Sequence, residues 1–254
     1  MASRHGSAVI DPGARLADDV RVGPLCVIEG DVTVGPGTVL LPGTVLLDGA
    51  RVGAACRLGP YATVGGLPMD RDFAGEASTA VLEDGVELRD FASVHRATGA
   101  GAATVIGAGT VVMNYVHVTH NVQVGREVVL TTQVQLGGHA RIGDRAVLGA
   151  GAMVHQFCRV GAGAMVGAGG GVRQDVLPYL TASGFPARHY RLNRVGLRRA
   201  GVAPKVVGAL ETTARALRRR DADALAAADR SVPEVALLLD FGRDSRRGVA
   251  AFAR

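Results

Sequence analysis

A chain of 254 residues with 48% apolar content can bury a sizeable core, but 36 glycines, six phenylalanines, four tyrosines and no tryptophan require a core of small aliphatic side chains. That composition excludes a disordered chain, favours a repeat architecture, and lacks the aromatic platforms on which exposed nucleic-acid bases stack. A net charge of +5 suits an anionic ligand or an acidic partner. Three cysteines cannot form a full disulfide set, and no stretch approaches the roughly 18 uninterrupted apolar residues of a membrane span. With no signal-like apolar run at the start, a cytoplasmic protein without stable membrane insertion is expected.

From Ile10 a step of six residues meets Leu16, Val22, Ile28, Val34, Leu40, Leu46, Val52, Leu58 and Val64. After two interruptions it runs from Ile106 through Val118, Leu130 and Ile142 to Val172. Of the 28 positions in the series, 25 are Ile, Leu or Val. No α-helix has this period; a short strand followed by a bend does, and the glycine that often comes next, as in Val22-Gly23, Val34-Gly35 and Ile142-Gly143, suits the bend. The exceptions are Asp70, Glu76 and Ala100, in breaks at 65–81 and 95–105 across which the register survives. Segments that leave a regular solenoid and return in phase tend to carry function. Cys26, Cys56 and Cys158 each stand two residues before a repeat aliphatic, in a slot otherwise filled by residues such as Thr38, Thr44 and Ala62, and read as packing.

A hexapeptide repeat of this type resembles the left-handed parallel β-helix, in which three hexapeptides make one triangular coil and residues 18 apart stack at roughly 4.8 Å. Residues 1–185 are expected to form that helix and residues 186–254 a C-terminal α-helical domain. Helical spacing begins at Ala203 with Pro204 near its start, and Pro233 opens a later helix, making two or three short helices that cover the last coil edge.

Five of the seven histidines, His95, His117, His120, His139 and His155, lie in the second half of the coil region, and none fills an inward slot. Eighteen residues separate His120 from Gly138 and Gly138 from Gln156, so His120, Gly138-His139 and His155-Gln156 should form a column on one edge of three coils. Two chemistries use such a cluster. A neutral imidazole can take a proton from a hydroxyl attacking a thioester while the Gly138 N–H receives the oxyanion. Alternatively, imidazoles converging between subunits hold zinc with a fourth position open. The spacing admits both.

The stretches FAGE (73–76), SVHR (93–96), MNYVHVTHN (113–121), LGGH (136–139), VHQFC (154–158), GVRQDVLPY (171–179) and NRVGLRRAG (193–201) resemble, in order and spacing, the UDP-N-acetylglucosamine O-acyltransferases that begin lipid A synthesis. The resemblance covers essentially the whole chain. It implies transfer of a (3R)-3-hydroxyacyl group from acyl carrier protein to the sugar 3-hydroxyl, with no cofactor and no metal, in a homotrimer whose sites lie between subunits. It makes His120 the general base and Gly138 the oxyanion donor, with His117, His139, His155 and Gln156 contacting or orienting substrate. Asp70 would read the donor's 3-hydroxyl, His95 would be a further site histidine, and Asn193 and Arg199 would meet nucleotide and phosphopantetheine. Ala168 falls where the family gauges acyl length and long-chain members carry glycine, which implies a medium chain. Four residues depart from the pattern: Asn121 where a carboxylate usually follows the histidine, Met69 where a glutamine commonly precedes the aspartate, Asp72 where a lysine is common, and Val195 where a glutamate is usual. Restoring the carboxylate in Asn121→Asp is expected to raise turnover or leave it unchanged. The rival readings are an acyltransferase of the same fold acting on another nucleotide sugar or on an amine, a zinc hydratase of the carbonic anhydrase type, and a non-catalytic trimeric scaffold.

Overall fold

The computed structural model describes residues 3–253. Short strands recur along the coils, most of them two residues long, and in most of these the first side chain is the more exposed and the repeat aliphatic faces in. Val27–Ile28 shows the rule, with Val27 38% exposed and Ile28 1% exposed. The segment between two strands turns a corner, and one corner residue often takes a left-handed backbone, as at Gly109 (φ 67°) and Asn121 (φ 60°).

Three parallel sheets result, one per side of a triangular left-handed β-helix. The first runs from Val9–Ile10 to Gly171–Val172 and contains His117–Val118; the second runs from Arg15–Leu16 to Arg159–Val160; the third starts at Arg21–Val22. Val9 pairs with Val27 and His117 with Gln135, eighteen residues apart, so one coil is three hexapeptides. At the breaks the spacing changes to thirty between Thr63 and Ser93 and to twenty-four between Ser93 and His117. Twelve and then six extra residues therefore loop out, both multiples of the repeat, which is why the register survives. Asp70, Glu76 and Ala100 sit in those loops and never enter the core.

The core is a stack of aliphatic layers that includes Leu46, Leu88, Leu130 and Leu148, each 0% exposed, and fully burying such a side chain contributes about 1.5–3 kcal/mol. Cys26, Cys56 and Cys158 are free, buried packing residues, and burial raises all three thiol pKa values.

Beyond Val172 the structure departs from the expected helical tail. Leu180–Ser183 adds a parallel strand to the third sheet beside Met165–Val166, and Arg188–Leu192 returns antiparallel to it. The expected boundary at 185/186 falls in the turn of this hairpin, so the sheet runs on to Leu192. Four helices follow rather than two or three: α1 (Arg194–Arg199), α2 (Pro204–Arg219), α3 (Ala222–Ala226) and α4 (Pro233–Arg243). The additional helix is α1, started by the Asn193 side chain, which accepts from the Gly196 N–H. Prolines open α2 and α4, as the sequence indicates. Leu177 and Leu180 from the end of the β-helix pack with Leu197, Leu210, Val235 and Leu238, closing the last coil. Among the described residues no helix is long and apolar enough to cross a membrane.

His189 joins the two parts. Its Nε2 accepts the Leu177 N–H at 2.9 Å and its Nδ1 faces the Ala250 carbonyl at 2.9 Å, so the ring must stay neutral to serve both. Burial pushes its pKa down to about 4. An unfolded histidine titrates near 6.5, so between about pH 6.5 and 4 the unfolded chain binds the extra proton and stability falls as pH falls. Chemical denaturation should show a loss of about 3 kcal/mol over that window, and His189→Gln should flatten this limb; an unchanged pH dependence in the variant would remove His189 from the account.

Candidate active site at one corner of the β-helix

His120 and Asn121 lie on the corner between the first and second sheets, directly after the strand His117–Val118. One coil further, Gly138 and His139 occupy the same corner, and after them Gln156 and Phe157. Backbone bonds bind the column: the His139 N–H donates to the His120 carbonyl at 3.2 Å and the Phe157 N–H to the Gly138 carbonyl at 2.9 Å. The His120 and His139 rings meet edge to face at 5.3 Å, and His139 stacks on Phe157 at 4.7 Å. Gly138 has to be glycine, because a β-carbon there would lie 2.5 Å from His120 Nε2. The Gly138 N–H has no protein acceptor among the described residues.

Both looped-out segments fold toward this corner. The first brings Asp70, whose Oδ2 lies 3.5 Å from His120 Nδ1. The second brings Thr98, which is held to Asn121 twice: the Thr98 N–H donates to Asn121 Oδ1 and Asn121 Nδ2 donates to the Thr98 carbonyl, both at 2.9 Å. Glu76 ties the two loops, accepting the Ala74 N–H at 2.8 Å and the Gly99 N–H at 2.6 Å. Asn121 Oδ1 also lies 3.0 Å from His120 Nδ1. Both oxygens near Nδ1 are acceptors, so Nδ1 carries the proton and Nε2, against Gly138, is the free base.

The electrostatics agree. The Asp70 carboxyl is held below its ordinary pKa, first by the Asp72 N–H and then, among lesser causes, by the facing histidines, so it stays ionised. Desolvation and the neighbouring His120 lower the pKa of His139. Desolvation, with a smaller contribution from His95, does the same for His117. Asp70, His120 and His139 are the only group of three His, Cys, Asp or Glu among the described residues with metal-ligand spacing, their donor atoms within 4.8 Å of one another. Among the described residues this group joins two imidazoles to a carboxylate; the zinc reading called for three imidazoles converging between subunits.

The remaining predicted residues divide by location. His95 and His117 meet edge to face at 5.0 Å; His117 Nδ1 is 2.8 Å from Ser93 Oγ and His95 Nδ1 is 2.7 Å from the Leu67 carbonyl. His117 and His155 open onto a groove of about 500 Å³ along the first sheet, lined also by Gln135, Met153 and Phe185. Asn193 and Arg199 lie on the third side, where Asn193 bonds the Gly163 carbonyl and caps α1, away from His120. Ala168 is exposed at the corner between the third and first sheets. Sequence reasoning missed Arg247, whose Nη2 reaches within 3.3 Å of His155 Nδ1 from the far end of the chain.

The Thr98 contacts revise the expectation for Asn121. An aspartate at 121 would lose the donor to the Thr98 carbonyl and set a carboxylate oxygen against it, at a cost of about 1–3 kcal/mol. Asn121→Asp should therefore lower both the unfolding free energy and turnover. Wild-type values of both would show that the amide has no tethering role.

The helical region matches the family model described as UDP N-acetylglucosamine O-acyltransferase, domain 2, over residues 175–250. Two curated relatives carry the name acyl-[acyl-carrier-protein]–UDP-N-acetylglucosamine O-acyltransferase. That of Thermodesulfovibrio yellowstonii is 34% identical, over 98% of this chain and 99% of its own. That of Paracidovorax citrulli is 40% identical, over 98% and 100%. Among solved structures, LpxA from Acinetobacter baumannii superposes with a TM-score of 0.91 at 32% identity, covering 97% of this chain and 98% of its own. The UDP-N-acetylglucosamine acyltransferase LpxA from Bacteroides fragilis does so with a TM-score of 0.92 at 30% identity, covering 96% and 98%. With relatives of this name 34–40% identical over 98% of the chain and LpxA structures superposing over nearly its whole length, this protein belongs to the UDP-N-acetylglucosamine O-acyltransferase family.

Proposed function

We propose that this chain transfers a 3-hydroxyacyl group from acyl carrier protein to the 3-hydroxyl of UDP-N-acetylglucosamine, the reaction that begins lipid A synthesis, in the cytoplasm. The observation that carries the reading is the His120 corner: a free Nε2 beside an unpaired Gly138 N–H, with Nδ1 held by acceptors. His120 Nε2 takes the proton of the sugar hydroxyl as its oxygen attacks the thioester carbonyl. The Gly138 N–H donates to the resulting oxyanion. Collapse breaks the C–S bond, and the departing thiolate takes the proton back from His120. Asp70, ionised and beside Nδ1, supplies the negative charge that Asn121 cannot, in addition to any contact with the donor's 3-hydroxyl.

The sites are completed between the subunits of a homotrimer, in which Asn193 and Arg199 of a neighbour reach this column to meet nucleotide and phosphopantetheine. His95, His117, His139, His155 and Gln156 line or orient the bound substrates. Arg188, Arg191, Arg198 and Arg199 are exposed without carboxylate partners among the described residues, a surface suited to an acidic carrier, whereas Arg194 is paired with Glu211. The chain divides into a coil unit, 1–185, and a C-terminal unit, 186–254, that opens with the returning strand Arg188–Leu192 and is helical beyond it; residues 1, 2 and 254 lie outside the described residues.

His120→Ala should lower transfer by about 10²–10⁴-fold while leaving the fold intact, since a corner residue adds little to the aliphatic core; near-normal turnover in this variant would end the general-base assignment. The Asp70, His120 and His139 donor set also suits a zinc hydratase. That rival requires activity to vanish after chelation, whereas acyl transfer should survive it.

The apolar groove on the first sheet begins beside the His120 corner at Thr119, Gly137 and His155 and extends to Gly171 and Phe185; it is the proposed acyl path, with the Ala168 corner lying just before Gly171. A β-carbon at 168 shortens the space at its end, and each excluded methylene forfeits about 0.8 kcal/mol of burial. Ala168→Gly should shift the preferred carrier-linked acyl length upward; identical length profiles would show that Ala168 does not close the groove.

A further inference from the structure

We propose that a cavity on the second-sheet side of the His120 corner is a phosphate-binding subsite, built from Arg141 on the coils and Arg246 and Arg247 on the C-terminal tail. The inference rests on the acyl-transfer reading, since both substrates of that reaction carry phosphate. The cavity, of about 530 Å³, begins at His139, whose ring meets His120 directly.

Its charges are unevenly used. Arg159 is committed: its Nε donates to Asp175 at 2.8 Å, its Nη2 to the Phe241 carbonyl at 2.8 Å, and its guanidinium lies over the Phe241 ring. Asp175, 1% exposed, is spent on Arg159 and on the Ser245 hydroxyl at 2.8 Å. Asp244 is paired with Arg243. Arg141, Arg246 and Arg247 have no carboxylate within 4.0 Å among the described residues, yet all three line the same cavity. Three uncompensated cations around one concavity repel one another and raise the local concentration of anions.

The tail is also positioned. The Ser245 hydroxyl bonds Asp175, the Asp175 N–H donates to the Gly248 carbonyl at 2.8 Å, and the Ala250 N–H donates to the Asp175 carbonyl at 2.9 Å. These bonds bracket Arg246 and Arg247 and fix their backbone against the last coil, so only side-chain ordering remains when an anion arrives. Arginine forks suit phosphate oxygens.

Two groups share this chemistry: the diphosphate of the nucleotide sugar and the phosphodiester of the carrier's phosphopantetheine. The diphosphate is attached to the sugar whose hydroxyl must reach His120, whereas the pantetheine phosphate lies at the far end of its arm from the thioester. The short path through His139 therefore favours the diphosphate.

Full-length Arg141→Gln, Arg246→Gln and the double variant test this, with UDP-N-acetylglucosamine and 4′-phosphopantetheine titrated separately by calorimetry and the KM of each substrate measured alongside. The double variant is expected to weaken UDP-N-acetylglucosamine about tenfold or more, with KM rising more than kcat falls. The same loss confined to phosphopantetheine also supports the subsite and identifies the carrier as its source. Unchanged affinity for both overturns the proposal, as does a fall in kcat alone. If the double variant fails to fold, Arg141→Gln, on the rigid coil, decides alone. Wild-type transfer with unaltered variants sinks the subsite and leaves the acyltransferase reading standing. Binding that weakens in the variants of an enzyme unable to transfer does the reverse, and a wild type that binds neither compound sinks the subsite.

Discussion

Everything in this molecule depends on one steric condition: an aliphatic side chain must fill the inside of the triangle every six residues, and eighteen residues must close one coil. Strands this short have almost no hydrogen-bonded identity of their own, so stacked layers such as Leu130 on Leu148 hold the register. That register then acts on residues that contribute nothing to the core. His120, Gly138 and Gln156 become neighbours because they occupy the same corner of successive coils, and the tolerance for position is small. A β-carbon at Gly138 would already strike the imidazole, and one at Gly35 would lie 2.6 Å from the Gly53 carbonyl carbon.

The breaks show how a rigid repeat acquires chemistry. Each extra segment is a multiple of six, so the coils below and above remain aligned while the segment itself is free to fold over the surface. The first delivers a carboxylate to His120 and the second a backbone carbonyl and N–H to Asn121; Glu76 joins them. The carboxylate beside His120 Nδ1 comes from fifty residues earlier in the chain, and the amide at 121 is bonded twice to Thr98. A regular solenoid offers no side-chain variety at its corners beyond what one residue per coil can hold, and the loops remove that limit.

Much of this was legible because period and spacing are local quantities. Three non-aliphatic positions in an otherwise regular series marked the loops, and a step of eighteen residues predicted the His120 column. The parts that were not legible depend on contacts across long separations or on short elements. Arg247 reaches His155 across 92 residues, and no pattern around it signals the approach. Helix α1 contains a glycine and spans six residues, too few for helical periodicity to show, and it forms because Asn193 caps it against the end of the β-helix. The strand Leu180–Ser183 follows a non-repeating stretch and is recruited by the exposed edge at Met165–Val166. Asn121 illustrates a different limit: its residue type was visible, but whether it would orient His120 or anchor a loop depended on where Thr98 came to rest.

The most direct test of the account is the chemical identity of the product formed by the purified chain from a 3-hydroxyacyl carrier and UDP-N-acetylglucosamine, read by mass spectrometry and NMR. A free imidazole nitrogen beside an oxyanion donor predicts a single ester on the 3-oxygen of the sugar, with release of the carrier's thiol. An amide product, acylation at another hydroxyl, or no transfer across a series of acyl lengths would contradict it.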